Sequence, residues 1–107
     1  MKTQLDRGLA QRLLYVGNKD GLIDGARARI GWAGFSRSGR SVLYRGRTLL
    51  KARGVRGNFL DVETGEEYWV SGVKRRGSNP HPAEAGIAIE IDPDALEAYR
   101  ALRADAG

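Results

Sequence analysis

Phe59-Leu60-Asp61-Val62-Glu63-Thr64-Gly65-Glu66-Glu67-Tyr68-Trp69-Val70 is the stretch on which the fold turns. Two β-prone runs flank a short polar segment, and Gly65 is available for the positive φ that a tight turn requires. The pattern predicts a β-hairpin whose second strand runs to about Val73. Tyr68 and Trp69 then point to opposite faces, so only one of them belongs fully to a core.

The strand signal recurs on the N-terminal side. Over residues 26–35, Ala28, Ile30 and Trp32 share one face and Arg27 and Arg29 the other, the alternation of a half-buried strand. Ser36-Arg37-Ser38-Gly39-Arg40 reads as a hairpin loop, followed by strands over 41–45 and about 47–52. Gly17-Asn18-Lys19-Asp20-Gly21 and Asp24-Gly25 are turn material. Ahead of them the period changes. Leu5, Leu9, Leu13 and Val16 recur near helical spacing, which predicts a short helix over 3–14 in spite of Gly8.

On the C-terminal side, residues 75–86 have no period and two prolines, so they read as a loop. Ile87-Ala88-Ile89-Glu90-Ile91 is a short strand. Asp92-Pro93-Asp94 then opens a helix, with Asp92 as N-cap and Pro93 at the first helical position. Ala95, Leu96, Tyr99 and Leu102 give that helix an apolar face to lay on the sheet. The expected architecture is mainly β (α+β): a small curled sheet or partly open barrel of the SH3-like or OB-like kind, with a C-terminal helix packed on it. One domain spans 1–107, with an N-terminal segment (1–25), a β-rich core (26–91) and the helix (92–104).

Composition narrows the chemistry. The 107 residues include no cysteine, which excludes a disulfide scaffold, a zinc ribbon, an iron–sulfur site and a thiol nucleophile. No apolar run has the length of a signal peptide or a membrane span, so a soluble cytoplasmic protein without a membrane partner is expected. His81 is the single histidine, set between two prolines, and histidine-pair zinc motifs are excluded. Asp61, Glu63, Glu66 and Glu67 contain the elements of a carboxylate pair or a cation site. Their place around a hairpin turn reads as solvated charge instead. A small enzyme using Glu67, His81 or Asp61 is the minority reading; no catalytic residue, metal ligand or cofactor is assigned.

The formal net charge is +5, and it is polarised along the chain. Residues 25–60 carry nine basic groups and no acidic one. An acidic knot follows at 61–67, then Lys74, Arg75 and Arg76, then a mostly acidic C-terminal segment. Arginine outnumbers lysine 14 to 4. A surface that grips phosphate or carboxylate bidentately explains that bias, and so does a genome rich in G and C. If 41–53 were one extended strand, Arg45, Arg47, Lys51 and Arg53 would share a face; Gly46 is the residue able to break it. With Arg27, Arg29, Arg37 and Arg40 they make eight candidate contacts for an acidic partner, beside Ser36, Ser38 and Ser41. Phe35 and Tyr44 are candidates for base stacking, while both tryptophans are assigned to the core.

The segment Asp61-Val62-Glu63-Thr64-Gly65-Glu66-Glu67-Tyr68-Trp69-Val70-Ser71-Gly72-Val73-Lys74-Arg75-Arg76-Gly77 resembles a set of short bacterial proteins with no settled function. The likeness extends over about 40–103, through the Ile-Glu-Ile-Asp segment and the final helix. Some of those proteins carry the transferred name deoxyxylulose-phosphate synthase. That name is rejected, because such a thiamine-diphosphate enzyme is several times longer and no cofactor motif matches. The resemblance implies a compact stand-alone protein and supplies no active site.

Two functions remain. The first is a non-catalytic module that contacts nucleic acid through the arginine-rich β-face with low sequence specificity. The alternative is a protein-interaction module (an inhibitor, immunity-type or accessory protein) that docks on an acidic partner or self-associates, as monomer or homodimer. The position of the acids relative to the arginines separates them.

Overall fold

Leu13-Leu14-Tyr15-Val16 has no polar position in either parity, so a strand through it is buried on both faces or not formed at all. The computed structural model, which describes residues 10–53, 58–75 and 86–105, shows that strand: β1 spans Ala10–Asn18 and its last five residues are buried. The helix expected over 3–14 is thus absent from 10–14, and 3–9 lie outside the described residues. Helical spacing of Leu13 and Val16 loses to a two-sided ladder, because β1 has a strand partner on each edge.

The remaining strands are β2 (Ala28–Phe35), β3 (Ser41–Tyr44), β4 (Arg47–Lys51), β5 (Asn58–Asp61), β6 (Glu67–Gly72) and β7 (Ile89–Ile91). The antiparallel order β1-β6-β5-β4-β3-β2 closes on itself through β1 and β2. The result is a closed six-stranded barrel of the small SH3/OB kind. β7 lies outside the barrel, parallel to β2. A 3₁₀ turn (Pro93–Ala95) and helix α1 (Leu96–Asp105) complete the chain.

Two cores result. Leu14, Val16, Val42, Leu49, Phe59 and Tyr68 fill the barrel. Tyr15, Ala28 and Ile30 face outward and are covered by Ile89, Ile91, Tyr99 and Trp69. Tyr68 is therefore interior and Trp69 a half-buried outer residue, as the hairpin's parity requires. Each fully buried Leu, Val or Phe contributes about 1.5–3 kcal/mol.

The β5–β6 hairpin explains its own acids. Gly65 has φ +79°, and its N–H donates to Asp61 O at 2.9 Å. The Asp61 carboxylate is buried and accepts from the Glu63 and Thr64 amides at 2.8 and 3.3 Å, while Glu63, Glu66 and Glu67 are exposed.

One feature of β2 positions the site. Its edge away from β1 is divided: Ala28, Arg29 and Ile30 pair with β7, and Gly34 and Phe35 with β3. Between the two ladders the sheet splits at Gly31–Ala33, and a crevice opens there.

Candidate functional site

Asp92 stands where β7 gives way to the 3₁₀ turn. Its backbone occupies the N-cap position and its N–H donates to Ile30 O at 2.9 Å, but its side chain makes no capping bond. The capping role expected from Asp92-Pro93 is not what the carboxylate does. It turns into the split in β2 and is 4% exposed. Tyr44 OH donates to Oδ2 at 2.5 Å, and Arg29 Nη1 and Arg45 Nη1 each lie 3.1 Å from Oδ1. A buried carboxylate persists only with such partners, since an unpaired one would cost several kcal/mol. Gly31 makes the room: a Cβ there would overlap Asp92 Oδ2 and stand 2.8 Å from Tyr44 OH. Burial, then the bond to Asp92, pushes the Tyr44 phenol well above its usual range, so it remains a proton donor.

A second carboxylate holds two turns together. Asp24 and Gly25 have φ of +50° and +90°, and Arg45 and Gly46 have φ of +48° and +79°. Successive positive φ values are the signature of the type I′ hairpin turn. For Arg45 that conformation costs about 1–3 kcal/mol and needs compensation nearby. Asp24 provides it, taking Arg45 Nε at 2.6 Å and Arg47 Nη2 at 3.0 Å. The Arg47 and then the Arg45 hydrogen bonds hold the Asp24 carboxyl at about 2. The bond to Asp24 raises both guanidinium values in return. Arg45 lies in the turn, so the single extended strand that would align Arg45, Arg47, Lys51 and Arg53 does not exist.

The eight basic residues therefore form two groups. Arg29, Arg45 and Arg47 are engaged by Asp24 and Asp92, and Arg29 also donates to Ile23 O at 2.8 Å and Asp24 O at 2.5 Å. Arg27 is exposed at the same end of β2. Arg37 and Arg40 lie at the opposite end, in the β2–β3 loop, and Lys51 is bonded beside them through its N–H to Arg40 O at 2.7 Å. Arg53 follows two residues on. Arg12 joins this end because β1 begins against Phe35, and its guanidinium stands 5.5 Å from the centre of that ring. Among the described residues none of Arg12, Arg37, Arg40, Lys51 and Arg53 has an ion pair. Ser36 and Ser38 shape the loop: Ser36 Oγ accepts from the Ser41 amide at 3.0 Å and Ser38 Oγ from the Arg40 amide at 3.3 Å. A hollow of about 440 Å³ separates that loop from Arg12 and Phe35.

The aromatic assignments change places. Tyr44, a stacking candidate, is buried and hydrogen-bonded to Asp92. Phe35 is partly buried on the end of the barrel core. Trp32, assigned to the core, is 38% exposed, and its Nε1 donates to Asp94 O at 3.1 Å. It borders a cavity of about 530 Å³ at the split in β2, together with Gln11, Leu43, Thr48 and Asp94. Parity alone puts Trp32 beside Ile30 on the outer face; β7 ends at the partner of Ile30, two residues short of Trp32. Arg12, Trp32 and the Asp92 carboxylate are the site residues that sequence reasoning missed. The local signal in Tyr44-Arg45-Gly46-Arg47, an X-Gly turn between two β-prone runs, points to the Arg45 turn and not to these three.

His81 lies outside the described residues, as does Arg56. Among the described residues no cluster of three His, Asp or Glu side chains could hold a metal ion, and no helix is long and apolar enough to cross a membrane. No family model, curated protein or solved structure matches the chain.

Proposed function

We propose that the protein is a non-catalytic binding module that holds nucleic acid by its phosphates, with low sequence specificity, through the barrel end formed by Arg12, Arg37, Arg40, Lys51 and Arg53. One observation carries this reading: in the basic stretch Arg29, Arg45 and Arg47 are ion-paired with Asp24 and Asp92, and of its described cations that no carboxylate engages all but Arg27 gather at one barrel end. Unpaired, solvated guanidiniums keep their full charge for an external anion. Two of the exposed acids favour the same end. Val62 N–H donates to Thr48 O at 3.0 Å, which places Glu63 and Glu66 at the end of β4 remote from Lys51.

The test is fluorescence anisotropy of labelled single- and double-stranded DNA and RNA from low to physiological salt. Five phosphate contacts on duplex give a log–log salt slope of roughly −4 to −5. Arg37→Ala/Arg40→Ala should reduce that slope by about 2 and weaken binding equally for all sequences. Absence of binding at low salt would sink the reading.

In a second reading the same cations dock on an acidic protein, while association with another copy of the chain draws on a different surface. Leu50 and Leu60 are cross-strand partners on the outer face of β4 and β5, and with Val62 they are exposed. Sedimentation at increasing concentration, compared with Leu60→Asp, decides whether that stripe self-associates.

A further inference from the structure

We infer that the crevice at Trp32 receives a single unstacked nucleobase, and this rests on the nucleic-acid reading for the source of that base. The cavity of about 530 Å³ falls in the usual range for small-ligand sites, roughly 300–1,000 Å³. Its wall is an indole that is solvent-exposed over more than a third of its surface yet fixed in orientation by the bond from Nε1 to Asp94 O. A ring locked in this way offers its face to a ligand with little ordering entropy left to lose. Gly34 keeps the sheet surface beside it clear of side chains, between Gln11 on β1 and Leu43 on β3.

Electrostatics selects the occupant. A small cation gains little, because the Asp92 charge is already matched by Arg29 and Arg45. A bare anion meets the Asp94 carboxylate, and the Arg45 guanidinium on the same lining is already shared between Asp24 and Asp92. A purely aliphatic group leaves Gln11 and Thr48 without partners. A flat, neutral ring with a polar edge satisfies all three conditions, with its face on Trp32 and its edge toward the Gln11 amide and the Thr48 hydroxyl. The position also fits. Gln11 and Gly34 are ladder partners, and the next pair, Ala10 and Phe35, borders the loop that carries Arg37 and Arg40. The crevice thus reaches from the Arg45–Gly46 turn to the Gln11–Gly34 pair, and the phosphate surface begins at the next pair, on the other face of the strand.

Two measurements on the full chain test this. Adenosine, guanosine, cytidine and thymidine, which carry no phosphate, are titrated against tryptophan fluorescence of the wild type and of Trp32→Phe, in which Trp69 remains as an internal reference. A labelled decanucleotide is titrated against the wild type, Trp32→Ala and Trp32→Phe. Saturable quenching by at least one nucleoside, lost in Trp32→Phe, supports the site. So does a decanucleotide affinity about 10-fold weaker in Trp32→Ala and partly restored in Trp32→Phe. The inference is overturned if no nucleoside quenches and Trp32→Ala binds the decanucleotide as the wild type does. Binding that is lost in Arg37→Ala/Arg40→Ala but unaffected by Trp32→Ala leaves the phosphate surface standing and removes the base site. Nucleoside quenching in a protein that binds no decanucleotide at any salt does the reverse.

Discussion

Arg40 and Arg45 are five residues apart in one uninterrupted basic stretch, and they do opposite work. Arg45 is folded back into its own molecule, spanning Asp24 and Asp92 and stabilising a turn at positive φ. Arg40 is exposed at the other end of β3 with no carboxylate within reach among the described residues. The difference teaches that a run of like charge is not a surface. Strands reverse direction every few residues, so neighbours in sequence are delivered to opposite ends of a barrel. Whether an arginine is structural or available depends on which acid arrives there from elsewhere in the chain.

If the inner group is structural, breaking its hub should have the largest effect of any single change. Asp92→Ala would leave two guanidiniums and the Tyr44 hydroxyl without their shared acceptor, and a loss of about 3–5 kcal/mol in urea unfolding is expected. A loss below 1 kcal/mol would show that the cluster is solvated and not a true hub. Gly31→Ala should follow, at about 1–3 kcal/mol, because the added methyl collides with Asp92 and Tyr44. Tyr44→Phe deletes one hydrogen bond to a charged acceptor and should cost about 1.5–3 kcal/mol, with the fold retained.

The Asp24 clamp gives a smaller, pH-dependent effect. Its carboxyl lies at about 2 in the folded protein against an ordinary 3.8. A folded value below the unfolded one means that pairing stabilises the protein fully above the ordinary value. The contribution then fades as pH falls from 3.8 toward 2. Asp24→Asn should flatten that part of an acid unfolding curve; because the pair is partly exposed, the change is modest. An unaltered acid limb would mean that other carboxylates dominate it.

The outer group should respond in the contrary sense. Arg37→Ala/Arg40→Ala is expected to leave stability within about 0.5 kcal/mol of wild type while weakening nucleic-acid binding. A marked loss of stability would erase the distinction between the two groups.

Legibility followed the range of each interaction. The β5–β6 hairpin, the β2–β3 loop and the strand into Asp92 depend on neighbours in sequence, and turn chemistry with alternation located them. The leucines of β1 fit a helix locally, and only two strand partners and two cores decide otherwise. Trp32 reads as core because a large aromatic on an apolar face ordinarily is buried. The length of β7, three residues placed by a parallel pairing, left it uncovered. Asp92 followed the rules of a helix cap in every local respect except the direction of its side chain.

The amino-acid sequence by itself determined a β-rich fold with a C-terminal helix, an absence of cysteine chemistry in these residues and a strong basic polarity, because composition, period and turn residues act over a few positions. Only the tertiary structure decided that the sheet closes into a barrel, that Asp24 and Asp92 consume three of the arginines, and that Trp32 faces a crevice. Each of those depends on groups some 20 to 60 residues apart, Asp24 with Arg45 and Arg29 with Asp92. Coulomb attraction and burial act on distance in space, which local sequence does not encode.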